Sequence, residues 1–174
     1  VLNNLSNISF APEYAALCGI TKEEVLNDFN PEVNKLATKN GWTFDEAVAQ
    51  LTTFYDGYHF SHENMFDIFN PFSLVNALSD SSLKNYWASS GATSLLPKFV
   101  DDIEIRLKDF EKCPMDSDTL ETSDVTGGGA ELFLYQSGYL TIKGYVEGIY
   151  LLGIPNNEVR KALYKIVLPA LTLK

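Results

Sequence analysis

Four helix-start signals crowd the first part of this chain, and they divide it into short helices rather than a continuous bundle or a sheet. Thr21-Lys22-Glu23-Glu24 has the capping-box form, in which the Thr21 hydroxyl serves the amide of Glu24 and the Glu24 carboxylate reaches back to Thr21. It predicts a helix through Phe29. Asn30-Pro31 places a capping side chain before a proline whose missing donor costs nothing in a first turn, so a second helix is expected to run to Asn40-Gly41. Thr43 opens a third, with Glu46 three positions on and Phe44, Ala47, Val48, Leu51, Phe54 and Tyr55 on one face. Asn70-Pro71-Phe72-Ser73 repeats the cap-and-proline device and predicts a helix with Phe72, Val75, Leu78 and Ser79 along its apolar side.

The intervening segments are shorter and less regular. Residues 8–20 read as an irregular connector. In Tyr55-Asp56-Gly57-Tyr58-His59-Phe60-Ser61 the Asp-Gly pair signals a turn and the aromatics predict buried, partly extended backbone. Residues 65–69 and Asn85-Tyr86-Trp87 are expected as short extended pieces, and Thr93 as the cap of a helix over 94–100. Residues 101–124 are mixed and acidic, with no assignment. Gly127-Gly128-Gly129 is a flexible break. A helix over 130–137, a strand over 139–143, a turn over 144–148 and a return strand over 149–153 follow. Asn156 or Asn157 then caps a last helix with Val159, Ala162, Leu163, Ile166, Val167 and Ala170 as its stripe. Helix, hairpin and helix give the outline of a small winged-helix-like unit.

Composition narrows the function classes. The chain has 174 residues, 45% hydrophobic and 21% charged, with no apolar run near the ~20 residues of a membrane span, so a soluble, cytoplasmic protein is expected. Its first residue is Val1 and it closes inside an apolar pattern, which fits a piece of a longer polypeptide. Cys18 and Cys113 have no CxxC partner and no metal-ligand spacing with His59 or His62, and read as reduced thiols. A formal charge of −10 repels phosphate and forfeits the counterion release behind most nucleic-acid affinity.

Catalytic constellations are missing from the sequence. No GxxxxGK[ST] loop occurs, and the glycines at 127–129 lack the lysine of a phosphate cradle. Leu95 to Asp102 imitates an apolar strand ending in carboxylates, but Pro97 and Lys98 interrupt it. The Asp and Glu-x-Lys pairing of PD-(D/E)XK nucleases is absent from any credible strand pair. His59 and His62, near Asp56 and Glu63, could form a metal corner, although a solvated loop is the plainer reading. Ser61 and Ser73 sit in no nucleophile elbow. No catalytic residue, metal site or cofactor is therefore expected within this chain, and as it stands it is not expected to be an enzyme.

The ordered strings Tyr55-Asp56-Gly57-Tyr58-His59-Phe60-Ser61, Asn70-Pro71-Phe72-Ser73, Tyr86-Trp87 and Leu134-Tyr135-Gln136-Ser137-Gly138-Tyr139-Leu140-Thr141-Ile142-Lys143 closely resemble the bacterial predicted AAA-ATPase-like family. Leu2-Asn3-Asn4-Leu5, Cys18-Gly19-Ile20-Thr21 and Ile154-Pro155-Asn156 with Glu158-Val159-Arg160 extend the likeness over nearly the whole chain. The resemblance implies a P-loop ATPase core upstream of this chain, using ATP and Mg, and a PD-(D/E)XK nuclease-like domain downstream. His59 stands where members often carry Arg, so any phosphate or partner contact made there would be weak.

On that basis the fold class is mainly α with small β elements. A helical lid-like region over 1–126 is followed by the winged-helix-like unit over 127–174. The function implied is a non-catalytic coupling fragment whose partners are the upstream ATPase core and the downstream nuclease-like domain. Its interdomain or nucleotide-facing candidates are Tyr55, Asp56, Gly57, Tyr58, His59, Phe60, Asn70, Pro71 and Ser73; the plainer reading has these aromatics building core. The alternative is a nucleic-acid-binding module using Lys143, Arg160, Lys161 and Lys165, although Glu147 in the wing turn suits phosphate poorly.

Overall fold

The computed structural model describes residues 8–89, 110–121 and 129–172. The chain is mainly α with small β elements. After a 3-10 turn at Pro12–Tyr14, strand β1 (Ile20–Thr21) leads into α1 (Lys22–Asp28), α2 (Asn30–Asn40) and α3 (Phe44–Tyr55). Both capping boxes form: Thr21 accepts from Glu24 N while Glu24 accepts from Thr21 N at 2.7 Å, and Thr43 and Glu46 repeat the exchange. Each satisfies two orphan helix donors, and such a cap contributes about 1 kcal/mol. Gly41, at φ 71°, ends α2 in the left-handed region. Asn30, however, does not cap: Phe29 holds that position without a side-chain bond, and the Asn30 oxygen accepts from Asn34 one turn on. Packed head to tail with α1, the helix starts one residue earlier than its proline suggests.

Strand β2 (Ile68–Phe69) pairs antiparallel with β1 and delivers the chain to α4 (Pro71–Asp80), whose Asn70 cap accepts from Ser73 N at 3.1 Å. The buried side of α4 is Ser73, Leu74, Ala77 and Leu78, whereas Phe72 and Val75 are 48% and 47% exposed. The expected face of Phe72, Val75, Leu78 and Ser79 is thus displaced by one position, about 100° around the helix. The short extended pieces are also smaller than expected. Only Ile68 and Phe69 of residues 65–69 are strand, and Trp87–Ser89 is a 3-10 turn.

A three-stranded antiparallel sheet forms the other half. Strand β3 (Cys113–Asp116), helix α5 (Ser117–Leu120), helix α6 (Gly129–Gln136), strand β4 (Thr141–Val146) and strand β5 (Ile149–Gly153) follow in sequence, and the spatial order is β3-β5-β4. The β4–β5 turn places Glu147 and Gly148 at φ 48° and 85°, as a two-residue hairpin turn of the primed type requires. Helix α7 (Asn157–Thr172) closes the described chain. The expected helix over 94–100 and most of the glycine break lie outside the described residues, as do the side chains of Val167 and Ala170.

Two cores result. Val33, Leu36, Leu51, Leu74 and Phe69 gather in the helical one; Ile68, Leu132, Tyr139, Ile142, Leu152 and Leu163 gather in the sheet one. Fully buried apolar side chains of this size each contribute roughly 1.5–3 kcal/mol. Because alternate strand residues face opposite ways, Ile68 and Phe69 serve different cores, and Tyr55 and Tyr58 divide likewise. The segment between α3 and β2 is therefore a seam. The expected boundary at residues 126 and 127 runs between elements that share the sheet core, since β3 pairs with β5 and Trp87 packs edge-on against Tyr139 at 4.6 Å.

Candidate functional site

The seam begins where α3 ends. Asp56 is buried, 4% exposed, and its Oδ1 accepts from the amide of Gly57 at 2.8 Å. Burial pushes its carboxyl up to about 6, against the Gly57 hydrogen bond, which favours the charge. Gly57 turns the chain at φ 94°, and a Cβ there would stand 2.5 Å from the carbonyl oxygen of Pro155, so both conformation and space demand glycine. The Gly57 carbonyl accepts from Lys143 Nζ at 2.7 Å. Lys143 is the extra residue of a β-bulge, where the register passes from Ile142 opposite Leu152 to Gly144 opposite Leu151, and a bulge of this kind re-aims a side chain.

Tyr58 exchanges backbone hydrogen bonds with Ile68, and its hydroxyl donates to the Gly138 carbonyl at 3.1 Å. Thr141 then substitutes for a strand partner: its hydroxyl accepts from His59 N at 2.8 Å and donates to His59 O at 2.9 Å. The His59 ring is buried between two oxygens, with Nδ1 2.8 Å from the Ile142 carbonyl and Nε2 2.8 Å from Asp67 Oδ1. A carbonyl only accepts, so Nδ1 donates to Ile142, and Nε2 faces the Asp67 carboxylate. His62 takes other partners, stacking on Tyr145 at 4.1 Å and bonding the Tyr150 hydroxyl. His59 and His62 thus point to different partners, and among the described residues no group of three or more His, Cys, Asp and Glu could hold a metal ion.

The first turn of α7 fastens onto this seam. Asn156 caps the helix through Val159 N and donates to the Asp56 carbonyl at 3.0 Å. Glu158, only 1% exposed, accepts from Trp87 N at 2.8 Å through Oε1, while its own carbonyl accepts from Asn85. Its Oε2 is buried beside the Ser73 hydroxyl. Burial pushes the Glu158 carboxyl up, opposed by Ser73 and the backbone near Trp87. Arg160 pairs with Glu111, and Lys161 lies 4.4 Å above the Phe54 ring.

A cavity of about 320 Å³ opens beside the seam. Its walls come from the strings singled out in the sequence: Tyr58, His59 and Phe60; Asn70; Trp87; and Tyr135, Gln136, Gly138, Leu140 and Thr141. The structure thus brings Tyr58, His59, Phe60 and Asn70 to one cavity, leaves Tyr55, Asp56 and Gly57 in the seam, buries Ser73 against Glu158, and puts Pro71 at the surface. Tyr55 is wholly buried and uses its hydroxyl on the backbone of Lys84. Of the basic candidates, Lys143, Arg160 and Lys161 are engaged within the chain, and Lys165 is exposed. Asp67, Asn156 and Glu158 had not been singled out as site residues. Asn156 was legible as a cap, whereas a glutamate in a first helical turn ordinarily signals solvent and gave no hint of burial.

Among the described residues no helix is long and apolar enough to cross a membrane. No family model matches the chain, and no solved structure matches it. The chain is similar, at 30% identity over 172 residues and 96% of its length, to a protein of Azotobacter chroococcum mcd 1 described as "Uncharacterized protein in vnfD 5'region", and it spans 31% of that protein.

Proposed function

We propose that this chain is a non-catalytic coupling module of a larger AAA-ATPase-like protein, packing on an upstream P-loop core and passing its movements toward a downstream nuclease-like domain. The observation that carries the reading is the seam. Residues 55–61, Asn70, Trp87 and the start of α7 meet where two separate cores adjoin, which is where relative motion of packed units is transmitted. The similarity to under a third of a longer protein also favours a part over a whole. Phe72 and Val75 supply a docking surface on the helix opened by Asn70-Pro71, since both stay about half exposed.

Mixing the chain with its separately made upstream P-loop half should give a stable complex. Changing Phe72 and Val75 to Asp together should weaken it by roughly tenfold or more, because covering the remaining apolar area is worth about 1 kcal/mol per side chain. Absence of association, or ATP turnover by this chain alone, would refute the proposal.

A second reading, a winged-helix-like nucleic-acid module, draws on the β3-β5-β4 order with helices α5 and α6 between β3 and the hairpin. Engagement of three of its four basic candidates weighs against it, as does Glu147 at the hairpin tip. A DNA titration at low and moderate salt decides, with strongly salt-dependent binding favouring this reading.

A further inference from the structure

We infer that the cavity between residues 58–60, Trp87 and the end of α6 binds an uncharged, planar heteroaromatic molecule of nucleobase to nucleoside size. The inference stands apart from the coupling role, because it needs only the cavity walls. At about 320 Å³ the space sits at the small end of ligand pockets, which run from roughly 300 to 1,000 Å³. Four of its walls are aromatic: Tyr58, Phe60, Trp87 and Tyr135. Stacking on such rings contributes about 1–3 kcal/mol per base and suits any flat π-face.

The polar walls select within that class. Gln136 carries a carboxamide, which sets a donor beside an acceptor and matches the edge of an amide- or amidine-bearing heterocycle, and Asn70, whose oxygen already caps α4 through Ser73 N, adds its amide nitrogen. Charge is nearly absent. Among the described residues no Lys, Arg, Asp or Glu lines the cavity, and both nitrogens of the His59 ring already face Ile142 and Asp67. A phosphate would therefore find no counter-charge. A quaternary ammonium could use the rings but neither carboxamide, and no carboxylate stands by to pair with it.

Trp42 and Trp87 are the two tryptophans of the chain, so Trp42→Phe leaves Trp87 as the sole reporter on the cavity wall. Titrating the Trp42→Phe chain with adenosine, guanosine, cytidine and uridine should quench Trp87 saturably for at least one nucleoside. A Kd of about 1 mM or tighter is expected, since one millimolar corresponds to about 4 kcal/mol, within reach of two stacked faces and a carboxamide pair. Gln136→Ala, a change at an exposed helix end, should weaken binding about threefold to tenfold with an unchanged thermal midpoint, and Phe60→Leu should weaken it further. Adenosine 5′-monophosphate should bind less well than adenosine. No saturable response to any nucleoside, tighter binding of the monophosphate, saturation by choline alone, or binding unaltered by both variants would each overturn the inference.

Discussion

Replacing Asp56 by Asn tests whether the seam holds a carboxylate at a cost in stability. Asp56 is 4% exposed, and burial moves its carboxyl from 3.8 to about 6. A group that holds its proton more tightly in the folded chain favours folding at low pH; the contribution is lost as pH rises from about 4 to about 6 and stays lost above. Two pK units correspond to roughly 3 kcal/mol, of which about 2 fall between pH 4 and pH 8 because the unfolded group is already partly ionised at pH 4. Asn keeps the acceptor for Gly57 N and cannot ionise. Any penalty for its unpaired amide, about 1–3 kcal/mol, is the same at both pH values and cancels in the comparison. Urea denaturation of both proteins at pH 4 and pH 8 should show the Asp56→Asn chain gaining about 2 kcal/mol on the parent across that interval. A gap that stays constant within about 0.5 kcal/mol, or one that moves the other way, would refute the desolvation argument.

The same measurement settles four further changes. Glu158→Gln keeps an acceptor for Trp87 N and removes a buried charge, so at pH 8 it should match or exceed the parent, whereas Glu158→Ala strands that amide and should cost about 1–3 kcal/mol. Thr141→Val preserves shape but leaves His59 N and O without their shared hydroxyl, and a loss of about 1–3 kcal/mol is expected. Gly57→Ala meets both a positive φ and the Pro155 oxygen at 2.5 Å; a loss above about 2 kcal/mol is expected, and one below 1 kcal/mol would show that the seam yields.

Local chemistry was readable in the sequence because its partners lie within a turn. Thr21 with Glu24, Thr43 with Glu46, Gly41 and Asn70 each act over three or four residues, and each appears where the residues predict. Gaps and misreadings arose where a distant partner decides. Strand β3 is an edge strand of four residues containing Pro114, tolerable only because one side needs no donor, and its pairing with β5 cannot be seen locally. Phe72 and Val75 have core-like chemistry, but the phase of α4 is set by small Ser73 and Ala77 packing inward. Lys143 reads as the end of a strand and a candidate nucleic-acid contact, whereas the bulge turns it to Gly57. Of the cavity walls, Tyr58, His59, Phe60 and Asn70 were site candidates in the sequence and the others stood only in the ordered strings; that they wall one cavity depends on contacts between residues as far apart as Tyr58 and Gly138.

Trp87 links the two halves of this account. Its ring walls the cavity and packs edge-on against Tyr139, while its backbone amide is held by Glu158 in the first turn of α7. That same turn holds the Asp56 carbonyl through Asn156. A shift of α7 along its axis would therefore break the Asn156 and Glu158 bonds together and move one aromatic wall of the cavity. Linkage makes the relation reciprocal: an occupant that stacks on Trp87 favours the α7 position seen here by as much as that position favours the occupant. A buried carboxyl on each side of the joint, Asp56 and Glu158, keeps the docked arrangement from being deeply stable. Few bonds at one helical turn, opposed by the burial of two carboxyls, suit the coupling role proposed above.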